Sequence, residues 1–215
     1  MNNNLVYIDH KLTLITETER HIYIDFESHE LLRRVQQGAK SNSIIKALGL
    51  NKKKGYVIDT TAGFGTDAFI ASAFGGNVIM CERSPIMSQL LEDALTRANS
   101  SSISIVKNIA SRMQLKPCNA VDALSQLAQE YNPICIYLDP MYPERNKSAL
   151  GKIKMREILA IVGDDLDAHL LFSQAKQLSK RIVVKRPKLA PTITKTQPSM
   201  NIIGNSTRFD IYINH

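Results

Sequence analysis

From Tyr56 onward the chain alternates short apolar runs with longer amphipathic ones, and this rhythm constrains the fold more than any single motif. Residues 56–59 read as a strand, 66–74 as a helix and 77–81 as the next strand. A long helix then runs to about Asn99, with Ser84 at its cap and Pro85 in its first turn. Residues 102–106 fit a strand, but a helix there followed by a strand over 113–118 suits the alternation better. Further on, 122–131 reads as a helix, 134–138 as a buried strand, 152–180 as one or two helices and 181–185 as a strand. Two more strands, 200–203 and 208–213, follow without a helix between them. Strands alternating with helices predict an α/β fold whose mostly parallel sheet is covered on both faces. The last two strands predict an antiparallel hairpin at one edge.

The first 50 residues have a different rhythm. Strands are predicted at 5–8, 12–15 and 22–26, then a helix capped by Ser28 that carries Leu31, Leu32 and Val35 and ends near Gly38. A second short helix is predicted over 43–50. The lysine-rich turn 51–55 marks the expected boundary between a small N-terminal β/α appendage (1–50) and the main domain (51–215).

Composition narrows the class. Hydrophobic residues make up 44% and charged residues 22%, ordinary values for a soluble globular protein. No run of about 18 apolar residues suggests a membrane span. The opening residues lack both a basic and an apolar signal region, so a cytoplasmic location is expected. Cys81, Cys118 and Cys135 are widely spaced, as reduced thiols would be, and the five histidines form no closely spaced pair, so no metal is expected. The net charge of +7 favours a polyanionic partner.

Asp59-Thr60-Thr61-Ala62-Gly63-Phe64-Gly65-Thr66-Asp67-Ala68 joins the first sheet strand to its helix. Gly63 and Gly65 permit a tight turn and close approach of a ligand to the backbone. The pattern also satisfies a dinucleotide fingerprint, with Glu82 placed to bind a ribose hydroxyl. An NAD-dependent oxidoreductase is therefore one reading. Asp59 favours S-adenosylmethionine instead, because a carboxylate there attracts a positively charged methionine moiety and repels a pyrophosphate.

The strand 134–138 ends in Asp139-Pro140-Met141-Tyr142-Pro143. Ligands of open α/β sheets bind at the carboxyl ends of strands, so Asp59, Glu82 and Asp139 should converge on one crevice. A nucleobase amine is a poor nucleophile whose lone pair is delocalised into the ring. The Asp139 side chain and the Pro140 carbonyl can hold its N–H groups so that the lone pair faces a methyl donor, while Tyr142 offers a face for stacking. Arg145, Lys147, Lys152, Lys154 and Arg156 follow, and Lys185, Arg186 and Lys188 leave the next strand end. Most charge runs are only solvated faces; two basic groups flanking one crevice suggest a phosphate track.

These residues resemble the RsmJ-type small-subunit ribosomal RNA guanine-N2 methyltransferases. The likeness rests on "DTTAGFGTDAF" (59–69), "CERSP" (81–85) with "LLEDAL" (90–95), "YLDPMYPERNKSAL" (137–150), "VGDDLDAHLL" (162–171) with "VVKRP" (183–187), and "RFDIY" (208–212). It implies a class I, Rossmann-like fold and methyl transfer from S-adenosylmethionine to a guanine N2 in 16S rRNA. The partner implied is that RNA or the small ribosomal subunit. The family's cofactor contacts fall on Thr66, Asp67, Glu82, Arg83, Asn119, Ala120 and Asp139. Thr66 stands where the family usually has arginine, and Asn119-Ala120 where a pair of small hydroxyl residues is common. Two other readings keep parts of this picture: a non-catalytic RNA-binding domain, and methylation of another planar amine, an adenine N6 or a protein amide.

Overall fold

The computed structural model describes residues 4–140 and 167–214. The N-terminal strands are β1 (Asn4–Ile8), β2 (Lys11–Ile15) and β3 (His21–Ile22), which form a small antiparallel sheet. Helices α1 (His29–Gln36) and α2 (Ser43–Leu48) follow. The strand predicted over 22–26 is cut short: only His21 and Ile22 pair with β2. Beyond them Ile24 and Phe26 stay buried, but the backbone turns to other partners, the Ile24 carbonyl accepting from Arg97. Period-two burial was present without a ladder to match it. Ser28 occupies the first cap, but its hydroxyl makes no capping bond.

The main sheet comprises β4 (Gly55–Asp59), β5 (Gly76–Cys81), β6 (Met113–Lys116), β7 (Cys135–Leu138), β8 (Arg181–Pro187), β9 (Met200–Ile203) and β10 (Thr207–Ile213). Among the described residues its order is β6-β5-β4-β7-β8-β10-β9. The first five strands are parallel, and β10 lies antiparallel between β8 and β9. Between strands run α3 (Thr66–Ala73), α4 (Pro85–Asn99), α5 (Ser104–Ala110), α6 (Ala120–Tyr131) and α7 (Ala168–Leu178). The helix-then-strand reading of residues 100–118 is the one adopted, as α5 and β6. Ser84 Oγ accepts from the Met87 N–H and Pro85 opens α4, so the local start signal decides where that helix begins.

All four residues of β7 are buried, as expected of a central parallel strand covered on both faces. Alternate residues feed two cores. Val57, Val78, Cys135, Tyr137 and Val183 face α1 to α5, while Ile58, Ile79, Ile136, Leu138 and Val184 face α6 and α7. Leu14, Ile22 and Phe26 belong to the first of these cores, and Phe26 stacks on Phe69 of α3 with ring centroids 5.0 Å apart.

Gly65, at the entry to α3, has φ +67°, and a Cβ there would lie 2.8 Å from Leu91 Cδ1 and 3.1 Å from Phe26 Cζ. Gly65→Ala is therefore expected to destabilise the protein by about 1–3 kcal/mol through backbone strain and overpacking. Thermal unfolding checks this; an unchanged midpoint would contradict it.

Candidate active site

Strand order reverses between β4 and β7, and a crevice opens where two such neighbours diverge at their carboxyl ends. β4 ends in Asp59, β5 runs into Glu82, and β7 runs into Asp139 and Pro140. A cavity of about 390 Å³ lies there. Its lining includes Asp59, Gly63, Thr66, Asp67, Glu82, Arg83, Asn119, Ala120, Asp139 and Pro140, so the structure gathers residues separated by up to 81 positions in sequence. Gly65 does not line it and acts through packing. Tyr142, Arg145, Lys147, Lys152, Lys154 and Arg156 lie outside the described residues.

Glu82 is buried, and its carboxylate shapes the glycine loop: Oε2 accepts from the Gly63 N–H at 2.9 Å, Oε1 from the Ser84 N–H at 2.8 Å. Gly63 has φ +52° with open space where a Cβ would project, which leaves its backbone approachable. Asn119 caps α6, its Oδ1 accepting from the Val121 N–H at 3.1 Å, and Ala120 is buried behind it. Arg83 reaches 3.2 Å from Asp167, the residue preceding α7, and that pair borders the cavity.

The opposite end of the cavity is dense in charge. Lys185 Nζ lies 2.8 Å from Asp67 Oδ2 and 2.8 Å from Asp139 Oδ2. Tyr137 donates its hydroxyl to Asp67 Oδ2 at 2.7 Å, and Arg34 stands 3.8 Å from Asp67 Oδ1. Thr61 Oγ1 accepts from the Asp139 N–H at 2.7 Å, tying the glycine loop to the end of β7. Burial disfavours the Lys185 charge, but Asp67 and Asp139 outweigh it and hold the ammonium above the ordinary lysine range. Burial likewise raises Asp67; Lys185, with help from Tyr137 and Arg34, overrides that and leaves its carboxyl below the usual range.

Of the basic residues expected on a phosphate track after β7 and β8, Lys185 is thus directed into the cavity. Arg186 is buried, with Nε and Nη2 donating to the Pro191 carbonyl at 3.1 and 3.0 Å, and Lys188 is exposed. Sequence reading did not single out Arg34, Thr61 or Tyr137 for this site. Cys81 and Cys118, read from sequence as reduced thiols, also line the cavity. A hydrogen bond between them brings Cys118 down to about 7 and pushes Cys81 up.

Asp59 is 2% exposed, and its pKa is raised to about 8, chiefly by burial and then by Asp67 and Asp139, against the Thr61 N–H and Lys185. A carboxyl whose folded pKa lies above its unfolded value stabilises fully below the ordinary carboxylate range. That contribution is lost as pH rises toward about 8. Asp59→Asn is therefore expected to raise the melting temperature of the ligand-free protein near pH 8, by roughly 2–4 °C per kcal/mol relieved, and to flatten its pH dependence above pH ~4. Melting curves between those limits check the sign; a variant less stable at pH 8 would contradict it.

The carboxyl groups of Asp59, Asp67 and Asp139 line one wall, a poor surface for a pyrophosphate, and Glu82 follows β5 beside them. The sequence matches the family described as "Putative SAM-dependent methyltransferase" over residues 1–214. It is 43% identical, over an alignment of 219 positions, to ribosomal RNA small subunit methyltransferase J of Shewanella pealeana, covering 97% of this chain and 85% of that protein. The chain belongs to the ribosomal RNA small subunit methyltransferase J family. The protein of that name from Hydrogenovibrio crunogenus is 40% identical over 209 residues, covering 95% of this chain and 74% of the relative. Among solved structures, a SAM-dependent methyltransferase from Neisseria gonorrhoeae superposes with a TM-score of 0.78 at 26% identity, covering 99% of this chain and 84% of that one. The methyltransferase J family places this chain among the enzymes that use S-adenosylmethionine, and the NAD-dependent reading falls.

The residues present fit that cofactor: Glu82 would accept from the ribose diol, Asp59 and Asp67 would face the methionine end, and the open space at Gly63 leaves its backbone approachable. S-adenosylmethionine, when bound, supplies a methyl group activated by a sulfonium. Among the described residues no group of three or more His, Cys, Asp or Glu could hold a metal ion, and no helix is long and apolar enough to cross a membrane.

Proposed function

We propose that this protein methylates the exocyclic N2 amine of a guanine in 16S rRNA, as a cytoplasmic enzyme acting on that RNA or on the small ribosomal subunit. The observation that carries the reading is the placement of Asp139 and Pro140: they follow the central strand β7 and line the cavity, with Asp139 tied to the glycine loop through Thr61. An acceptor at that point can fix a planar amine with its lone pair facing the methyl donor. The names of the relatives support RNA of the small subunit as the substrate class.

In this reading Asp139 and the Pro140 carbonyl orient the amine, and Tyr142 stacks the extruded base. Arg145, Lys147, Lys152, Lys154, Arg156 and the exposed Lys188 approach phosphates. The amine nitrogen forms the new N–C bond as the donor S–C bond breaks, sulfur keeping the pair, and the surplus proton leaves the nitrogen. No covalent intermediate with the enzyme is needed. We also propose that residues 1–50 form an appendage to the methyltransferase domain, 51–215, although the two share a core.

The test is incorporation of labelled methyl from S-adenosylmethionine into small-subunit RNA and assembled small subunits taken from a strain lacking the gene. Label in the RNA is expected. Tight binding of that RNA with no incorporation would favour a non-catalytic RNA-binding protein.

A further inference from the structure

Sheet register places Lys185 where its sequence does not advertise it. Leu138 pairs with Val184, so the residues that follow, Asp139 and Lys185, are neighbours across the strands. Asp59, Tyr137, Asp139 and Lys185 all continue the alternation that points toward α3, where Asp67 waits in the first turn. The result is a chain of short polar contacts: Tyr137 to Asp67, Asp67 to Lys185, Lys185 to Asp139. Lys185 keeps only 25% of its side chain exposed, against 36% for Asp139. A surface phosphate contact needs a cation that reaches outward; this one is held between two carboxylates inside the cavity.

We infer that Lys185 is a positioning residue, whose bridge to Asp67 and Asp139 fixes the Asp139 carboxylate as an acceptor that orients the target amine and leaves the amine's proton to water. This deepens the function proposed above and rests on it. The physical reason is proton affinity. A carboxylate 2.8 Å from an ammonium is a weak base, while an amine that has just gained a methyl group is a strong acid and needs no better acceptor than water. The charged groups near the pair among the described residues bear on this. Asp59 lies beside both carboxyls, Lys185 and Arg34 offset the Asp67 charge, and the Tyr137 hydroxyl, pushed well above its usual pKa by burial first and then by the carboxyl groups, stays protonated on Asp67. Among the described residues, Lys185 touches both Asp67 and Asp139. Without it Asp67 and Asp139 lose the cation they share, and a proton binds between them at higher pH.

The wild-type enzyme is first assayed on small-subunit RNA; absence of methyl transfer there would overturn the proposed function and this inference with it. With wild-type activity in hand, Lys185→Met is expected to lower kcat by about a hundredfold or more, as loss of an orienting contact does. Binding of S-adenosylhomocysteine and KM for RNA should stay within a few-fold, and the acidic limb of the kcat–pH profile should move up by about one unit or more. Lys185→Arg, which keeps the charge, should hold the limb where the wild type has it and recover part of kcat. Lys185→Gln replaces the methionine variant if that protein does not fold. A residue that grips phosphate behaves differently: its removal raises KM for RNA and lowers the salt slope of RNA binding by about one. That result with kcat and the pH limb unmoved would overturn the inference, as would a Lys185→Met enzyme with wild-type kcat.

Discussion

Asp139→Ala is expected to reduce methyl transfer by about three orders of magnitude or more while S-adenosylhomocysteine binds within about tenfold of the wild-type affinity. The asymmetry follows from position. Asp139 lines the cavity with its side chain 36% exposed, its backbone N–H held by Thr61 and its carboxylate by Lys185, so it is open to an incoming base as well as to the cofactor. Removing the side chain takes away the acceptor that fixes the amine, a contribution made where bonds change, whereas the cofactor keeps Glu82, Asp59 and the glycine loop. Asp139→Asn retains one oxygen acceptor of the same shape and should fall between the two. Single-turnover rates measured beside calorimetric titration separate these effects. An alanine variant with full activity would remove the proposed role of Asp139, and a variant that loses cofactor binding entirely would make it a cofactor ligand first.

The second large effect is expected from Glu82→Ala. Its carboxylate accepts from both Gly63 and Ser84 N–H groups in a buried setting, so its loss strands two donors as well as removing the diol acceptor. Leaving buried donors unpaired costs about 1–3 kcal/mol each, and hydrogen bonds to a charged acceptor are worth about 1.5–3 kcal/mol. The variant should melt several degrees lower and bind S-adenosylhomocysteine about a hundredfold or more weakly. Affinity within threefold of wild type would mean that Glu82 serves the loop alone.

Much of this site could be read along the chain because it lies at strand ends with local signatures. Gly63 and Gly65 demand a turn, Asp59 and Glu82 close the first two strands of the parallel sheet, and Asp139-Pro140 interrupts an apolar run in a way that ordinary core packing does not require. The alternation of strands and helices likewise predicts the sheet and its antiparallel edge, since each rests on short-range periodicity. What could not be read depends on register. Tyr137 looks like one more apolar strand residue until β7 is paired and its hydroxyl is seen to meet Asp67, 70 positions away. Lys185 sits in a basic cluster that sequence alone assigns to a surface; two carboxylates from distant segments draw it inward. Arg34 enters from α1, a helix with no local mark of a role in the site. The truncated third strand fails for the opposite reason. Its alternation is real, but burial against α3 and α4 produces the same period as pairing in a sheet.

The central claim is the chemistry at Asp139, and the product tests it most directly. Small-subunit RNA from a strain lacking the gene is incubated with the purified enzyme and labelled S-adenosylmethionine, digested to nucleosides and resolved by mass spectrometry. The account predicts label in N2-methylguanosine, lost in the Asp139→Ala enzyme. Label in N6-methyladenosine instead would keep the fold and the cofactor and contradict the assigned target.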